Sequence, residues 1–491
     1  MTGVDIIKLY DICPEAQQQG IADSEVTAVT DNTAKVVSGC IFVCIKGANF
    51  DGHSAAQQML EKGACMIVTD HDISCDKQFI CDNTRLWLAR LVSRFYGCPT
   101  KKFGMLAVTG TNGKTTTAHF VKHILSELGN KCGCIGTAGN DTCSGEPKPS
   151  VHGTPTVPAA TVLYSWFAEM AQNNADYCVM EASSQALSQY RIADEEFEAA
   201  GFTNLTRDHL DYHKTMENYF NAKKRLFTMC KKAVVNIDDD YGRRLAKEFS
   251  DKVITYSTKD SSADLYADYI RLYADRACFM LISNIDKKAV LTEIPMTGIY
   301  NVENALCAVG MTSALGYDIA ACARTLSRLN GVDGRMNTVY KGDFTVITDY
   351  AHTDDALAKM LSTLKGAVKG RLICVFGAAG DRDKEKRPMM GKAAEDNADV
   401  LVITSDNPAH ENPEDIINAV FSGTSGKRPC KCITDRREAI EYALDIARKD
   451  DIVVLAGKGQ EKYQIIGDSY LPFCEAEIVK DIMMRKGNKD S

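Results

Sequence analysis

Residues 110–116 read Gly-Thr-Asn-Gly-Lys-Thr-Thr. They follow an apolar run at 105–108 and precede a stretch in which Phe120, Val121, Ile124, Leu125 and Leu128 recur at helical spacing. Strand, glycine-bearing loop and helix in that order make an anion site. Glycines let backbone N–H groups turn toward a phosphate, and the helix N-terminus adds the positive end of its dipole. Gly110, Thr111, Asn112, Gly113, Lys114, Thr115 and Thr116 are the candidate cradle. Lys114 offers a point charge for β- and γ-phosphates, and Thr115 a hydroxyl for Mg²⁺. The generic phosphate loop has more residues between its glycines than the two found here, so this one is a variant.

A second group of chemistry-bearing residues follows. VMEASSQALSQYR (179–191) puts Glu181 at the end of an apolar run, where α/β sites gather. FTNLTRDHLDYHKTMENYFNAKKRLF (202–227) carries Asp208, His209, Asp211, His213 and, on a helical stretch, Lys223. A nucleotide with Mg²⁺ needs hard oxygen ligands and at most an imidazole, which Glu181 and His209 supply. Taken singly, Glu181 reads as an ordinary strand-end acid. Lys223 alone reads as a helix-surface lysine, because Lys224 and Arg225 follow it.

The elements that must position these residues are legible as a pattern. Apolar runs at 65–68, 105–108, 177–180, 346–348, 373–376, 400–404 and 452–455 read as buried strands alternating with amphipathic helices. That alternation predicts an α/β chain of parallel sheets covered on both sides. GCPTKKFG (97–104) reads as a linker and NGVDGRMN (330–337) as a glycine-rich break, giving domains at 1–101, 102–334 and 335–491. The charged end RKGNKDS reads as a frayed terminus. The 491 residues carry a formal charge of −8, which argues against a general nucleic-acid or anionic-membrane binder. Nineteen scattered cysteines with no C-x-x-C pair read as reduced thiols packed as small hydrophobes. No run is long enough to span a membrane and no leader is visible, so the expectation is a cytoplasmic monomer with no membrane or nucleic-acid partner.

Beyond these motifs the chain carries IFVCIKGANFDGH (41–53), GIYNVENALCA (298–308), DYAHTDDAL (349–357), GDRDKEKRP (380–388), SDNPAHENPEDII (405–417) and AGKGQEKYQIIG (456–467). In this ordered set it resembles the Mur ligase family, the ATP-dependent amino-acid ligases of peptidoglycan precursor synthesis. The likeness is greatest to the MurE type, which extends UDP-N-acetylmuramoyl-L-alanyl-D-glutamate by one diamino acid. The resemblance implies a UDP-binding N-terminal domain, a central phosphate-loop ATPase domain and a C-terminal Rossmann-like domain. It implies that ATP phosphorylates a carboxylate and an amine then displaces the phosphate. Lys114, Glu181, His209 and Lys223 become the catalytic set. Thr115, Glu181 and His209 become Mg²⁺ ligands, together with a CO₂-derived carbamate on Lys223. A lysine must lose its proton before CO₂ can add, and desolvation favours that. Asn301 and Asn304 match residues that approach adenine. Arg335, Asp349 and His352 match the remaining ATP contacts. Thr30, Asn32, Ala48, Asn49 and Phe50 match positions near uridine, and Thr154, Ser183, Gln189 and Arg191 match contacts to the muramoyl dipeptide.

The incoming amino acid is implied to meet Arg382, Asp406, Asn407, Pro408, Ala409, Gly457 and Glu461. Members adding diaminopimelate resemble DNPR where this chain has DNPA (406–409). Alanine cannot pair with a second carboxylate, and burying one unpartnered costs several kcal/mol, so L-lysine is the expected substrate. Arg382 then holds the α-carboxylate, while Asp406, Glu411 and Glu461 suit an ammonium tip. Ornithine, one methylene shorter, would be discriminated by only ~1–3 kcal/mol. The family pattern is also broken at Asn32, Gly153, Gln185, Asn337, Asp354 and Gln460, mostly on the substrate side. Two alternatives therefore stand beside the first reading. One is a divergent ligase joining ornithine, diaminopimelate or another amino acid to a related carboxylate. The other is a nucleotide-binding regulator without ligation.

Overall fold

The computed structural model describes residues 6–47, 50–146, 148, 156–273, 276–329 and 331–487. Their contacts divide into two compact units, one of residues 1–109, 129–200 and 222–232, the other of 110–128, 201–221 and 233–491.

The first unit begins with four parallel strands in chain order, Ala28–Thr30, Cys40–Val43, Met66–Thr69 and Gln78–Ile80. Cys40–Val43 and Met66–Thr69 are buried at every position, as strands covered on both faces must be. Phe42 and Ile67 pack with Met59 of the helix Ala56–Glu61. Further along, Gly104–Thr109, Tyr177–Glu181 and Cys132–Gly136 pair in parallel in that spatial order, and Gly139–Asp141 closes the edge antiparallel. The segment read as a linker at 97–104 is instead a packed turn. Its Pro99–Lys102 is a 3₁₀ helix with Pro99 and Thr100 buried, and Thr100 Oγ1 donates to Glu195 Oε2 at 2.5 Å.

The second unit holds the helix Lys114–Glu127, packed against Ile299–Ser313, a helix so apolar that eleven of its fifteen residues are buried. Phe120, Val121, Ile124 and Leu125 face inward as the periodicity predicts, while Leu128 falls one residue beyond the helix as its C-cap. Val253–Ser257 pairs in parallel with Cys230–Asn236, and the meander Leu265–Leu272, Ala277–Ser283, Lys288–Ile294 extends it antiparallel. The period-2 burial of Ala277–Ser283 marks a strand with one wet face.

A six-stranded sheet follows in the order Asn337–Lys341, Thr345–Asp349, Ile452–Ala456, Leu372–Phe376, Val400–Thr404 and Cys430–Ile433. Only the first pair is antiparallel. Alternate residues feed two cores. Cys374, Phe376, Leu401 and Val454 meet Leu361, Met390 and Ile417 on one side. Ile373, Val375, Val402 and Val453 meet Ile440, Leu444 and Val479 on the other. The charged C-terminus is not frayed where it is described. Arg485 and Lys486 close the helix Glu475–Gly487, and Lys486 Nζ donates to Leu444 O at 2.8 Å. None of the nineteen cysteines is disulfide-bonded, and thirteen are buried. No helix among the described residues is long and apolar enough to cross a membrane.

Candidate active site

In the second unit the phosphate loop is braced from a distance in sequence. Asn112 N donates to Asn204 Oδ1 at 3.0 Å, Thr203 Oγ1 donates to Asn112 O at 2.6 Å, and Thr111 N donates to Asn204 O at 2.9 Å. Thr111 Oγ1 lies 3.2 Å from the Tyr219 hydroxyl and accepts from Thr206 N at 3.0 Å. Thr203, Asn204 and Tyr219 carried no role in the sequence reading. Their only signal was position within the 202–227 segment. Gly113, the N-cap of Lys114–Glu127, has φ +86°, and a Cβ there would lie 2.4 Å from Asn304 Oδ1. The turn thus needs glycine for conformation and for space. Lys114 Nζ donates to Gly110 O at 3.0 Å and Thr111 O at 2.8 Å, so its charge sits over the loop.

Asn301 and Asn304 are buried and tied inward. Asn301 Nδ2 donates to Thr297 O, Asn304 Nδ2 to Asn301 Oδ1, and Asn304 Oδ1 accepts from Thr117 Oγ1. They brace the loop's helix. Arg335 Nη2 donates to Thr115 Oγ1 at 3.0 Å, while its Nε is buried with no hydrogen-bond partner among the described residues, leaving donor capacity for an anion. Asp349 accepts from Met336 N and Ala351 N, both at 2.8 Å, so it orients the segment bearing Arg335. Burial raises its carboxyl, offset by the Arg335 charge. His352 Nδ1 donates to Tyr350 O at 2.8 Å. Burial, with Lys386 nearby, pushes its pKa down to about 4, so at pH 7 the ring is neutral with Nε2 as an acceptor. His209 stands at φ +53°, its amide donating to Asp208 Oδ1 at 2.9 Å. Burial pushes the Asp208 carboxyl up, but His209 and other neighbouring positive groups together hold it below its ordinary value.

The first unit holds the other catalytic candidates. Glu181 is 1% exposed at its strand end, and its Oε1 accepts from Thr137 N at 2.6 Å. A Cβ on Gly136 would meet that oxygen at 2.3 Å, so the glycine is what lets the carboxylate lie there. Lys223 is 1% exposed within the helix Met216–Thr228, which removes the helix-surface reading. Ser183 caps the short helix Ser184–Ser188. Arg191 donates to Val157 O and to Gln189 Oε1. Thr30 Oγ1 accepts from Asn32 N, Asn32 Oδ1 accepts from Ala34 N, and Phe50 is largely exposed. Ala48, Asn49, Gly153 and Thr154 lie outside the described residues.

The amino-acid candidates sit at the ends of the six-stranded sheet. Lys458 is fully buried, its Nζ 3.0 Å from both Asn407 Oδ1 and Glu461 Oε2 and 3.7 Å from Asp406 Oδ1. Burial raises the Glu461 carboxyl, and the Lys458 ammonium opposes it. Gly457 has φ +115°, and a Cβ there would lie 2.7 Å from Asp406 Oδ2. Gly380 N donates to Asn407 O at 2.8 Å, and a Cβ on Gly380 would sit 1.9 Å from Pro408 O. Arg387 grips Glu411 with both terminal nitrogens, at 3.0 and 2.8 Å, and Lys384 adds a third contact at 3.2 Å. Of the three acids expected to receive an ammonium tip, Glu411 is paired with Arg387 and Lys384 and Glu461 with Lys458, while Asp406 Oδ1 is buried and accepts no hydrogen bond among the described residues. Arg382, on the same loop as Lys384, is exposed.

The Arg387 pair holds the Glu411 pKa at about 2, and Glu411 Oε1 also accepts from Asp381 N at 2.8 Å. Its folded value lies below the ordinary 4.5, so its stabilisation is complete above pH 4.5 and is lost as pH falls toward 2. Arg387→Met should remove the two-pronged partner of the Glu411 carboxylate and cost about 3 kcal/mol at pH 7. Urea unfolding would show that gap narrowing on acidification from pH 5 toward 3, because protonated Glu411 no longer needs the arginine.

Residues 108–312 match the Mur ligase middle domain, and residues 334–459 match the Mur ligase glutamate ligase domain. A Clostridium tetani protein named UDP-N-acetylmuramoyl-L-alanyl-D-glutamate–2,6-diaminopimelate ligase is 40% identical over 473 residues, covering 94% of this chain and 96% of that protein. One of the same name from Aquifex aeolicus is 39% identical over 465 residues, covering 93% and 94%. A solved structure bearing that name superposes with a TM-score of 0.68 at 32% identity, covering 94% of this chain and 96% of that one. MurF from Acinetobacter baumannii shares the fold, with a TM-score of 0.64 at 18% identity over 98% of this chain and 100% of that one. With the phosphate loop, the strand-end acid and the DNPA segment all inside the matched regions, the chain belongs to the Mur ligase family of ATP-dependent acid–amino-acid ligases.

Proposed function

We propose that this enzyme joins 2,6-diaminopimelate to the D-glutamyl carboxylate of UDP-N-acetylmuramoyl-L-alanyl-D-glutamate. Residues 1–101 would bind the UDP group, 102–334 ATP, and 335–491 the amino acid. The observation that carries the substrate assignment is the end-to-end match to eight proteins named for that ligation, at 38–40% identity. The chemistry of the amino-acid pocket supports it. A lysine side chain needs an uncompensated acid for its tip, and two of the three candidates are paired, Glu411 with Arg387 and Glu461 with Lys458. Diaminopimelate brings two carboxylates, and the segment before the helix Lys386–Asn397 carries an exposed cation, Arg382.

In the reaction, a carboxylate oxygen attacks the γ-phosphorus of ATP and ADP leaves. The amine nitrogen then attacks the acyl carbon, loses a proton and expels phosphate. Several negative centres must be neutralised and aligned before transfer, which is most of the catalysis. Lys114 and the loop amides would hold the triphosphate, and Arg335 would add its guanidinium. A hydroxyl from Thr115, a carboxylate from Glu181, an imidazole from His209 and a carbamate on Lys223 would each be donors that suit Mg²⁺. Bound there, Mg²⁺ would screen charge on the phosphates. ATP and a nucleotide-linked substrate imply work in the cytoplasm, and nothing in the mechanism requires a second subunit.

L-Lysine is the second reading, favoured by one observation. Position 409, where an arginine would reach the distal carboxylate, is alanine, in a left-handed conformation at φ +50°. Ligation with lysine, ornithine and diaminopimelate in competition, read by product mass, decides between them. A charge-assisted contact to the second carboxylate is worth about 1.5–3 kcal/mol, so diaminopimelate should win by at least about ten-fold in kcat/KM. Ala409→Arg should widen that margin. A wild-type preference for lysine would overturn the assignment.

A further inference from the structure

Apart from the ligation candidates, one group of His, Asp and Glu side chains among the described residues is close enough together that it could hold a metal ion. It lies at the end of the N-terminal four-stranded sheet. Asp51 caps the 3₁₀ helix Gly52–Ala55, its Oδ1 accepting from His53 N at 3.1 Å. The same oxygen lies 2.6 Å from His53 Nδ1. A carboxylate only accepts, so in the neutral ring Nδ1 carries the proton and Nε2 the lone pair.

That nitrogen is inside the protein. The His53 side chain is 8% exposed, and Nε2 is buried with no hydrogen-bond partner among the described residues. It faces Asp70 Oδ1 at 3.2 Å. Asp70 directly follows the strand Met66–Thr69, and the next residue, His71, places Nδ1 2.5 Å from that same oxygen. The two imidazoles stand 4.7 Å apart between centroids, inclined by 32°. One donor atom each from His53, Asp70 and His71 lies within 4.8 Å of the others.

A lone pair pressed against a carboxylate is unfavourable unless positive charge lies between them. A proton on Nε2 would supply it, but a charge-assisted N–H···O bond closes to about 2.7–2.9 Å with good alignment, and this contact has neither. A metal ion would also supply it. Two imidazoles and one carboxylate, with a second carboxylate fixing the tautomer from behind, are the donors of a borderline divalent ion such as zinc. Mg²⁺ and Ca²⁺ prefer oxygen alone.

We propose that His53, Asp70 and His71, oriented by Asp51, form a binding site for a zinc-class divalent cation in the N-terminal domain. Such an ion ties the end of the strand Met66–Thr69 to the segment that begins immediately after Phe50. Asp51 is a positioning residue and touches the ion only through His53.

The test is titration of the full-length protein with Co²⁺, in excess Mg²⁺ so that hard-oxygen sites are filled. Co²⁺ spectra separate nitrogen and oxygen ligation from thiolate, which matters in a chain with nineteen cysteines. One equivalent with a nitrogen/oxygen spectrum is expected. His71→Ala removes a largely exposed side chain and should leave the fold intact while weakening that equivalent by more than about ten-fold, as should Asp70→Asn. Asp51→Asn should weaken it by about 10–100-fold without abolishing it. Zn²⁺ should raise the thermal midpoint of the wild type and not of His71→Ala. Wild-type-like Co²⁺ binding in both His71→Ala and Asp70→Asn, or no nitrogen/oxygen spectrum at all, would overturn the proposal.

Discussion

Lys114→Met should lower kcat by ~10²–10³, equivalent to about 3–4 kcal/mol of lost transition-state stabilisation. The substitution keeps length and apolar volume and removes only the charge. Methionine is a good helix former, so the first turn of Lys114–Glu127 should persist. The Nζ bonds to Gly110 O and Thr111 O leave the ammonium over the turn, where a triphosphate would collect its negative charge. The loop itself is braced by Thr203, Asn204 and Tyr219. Thermal stability should therefore hold while phosphate release collapses, and nucleotide affinity should fall with it. A Lys114→Met enzyme with unchanged turnover would remove the loop from the mechanism.

Lys223→Ala should be nearly as damaging, through a different loss. If Lys223 carries a carbamate, the variant lacks an anion at a position that is 1% exposed and closed to bulk solvent. The expected drop in kcat is again ~10²-fold, the size of one preorganised electrostatic contact. Formate or acetate, small enough to enter the space left by the side chain, should restore part of the activity. A purely structural lysine would show no such rescue, because its role would be packing. Labelled CO₂ with carbon NMR gives an independent readout in the wild type. Absence of both the carbamate resonance and the rescue would leave Lys223 unmodified.

These two residues also show how differently sequence and structure contribute. Lys114 was legible because its meaning is local. An apolar strand, a turn that needs glycine at 113 and a helix with one apolar face lie within about twenty consecutive residues. The same holds for the strands of the six-stranded sheet, each a short buried run. Lys223 was ambiguous in the sequence, since Lys224 and Arg225 beside it look like a solvated helix face. Its burial depends on what the helix packs against.

The amino-acid pocket makes the point from the other direction. Counting Asp406, Glu411 and Glu461 suggests an acidic pocket for an ammonium group. Arg387 lies 24 residues from Glu411, and Lys458 lies 51 from Asn407, yet those cations pair with two of the three acids. His53 acquires its second acid in the same way, because Cys40–Val43 and Met66–Thr69 are neighbours in a parallel sheet. The sequence by itself determined the α/β class, the order of the elements and the phosphate loop, since periodicity and turn chemistry act between near neighbours. Only the tertiary structure decided which charges are spent on each other and which remain for a ligand, because ion pairing is set by distance in space and the chain folds remote residues together.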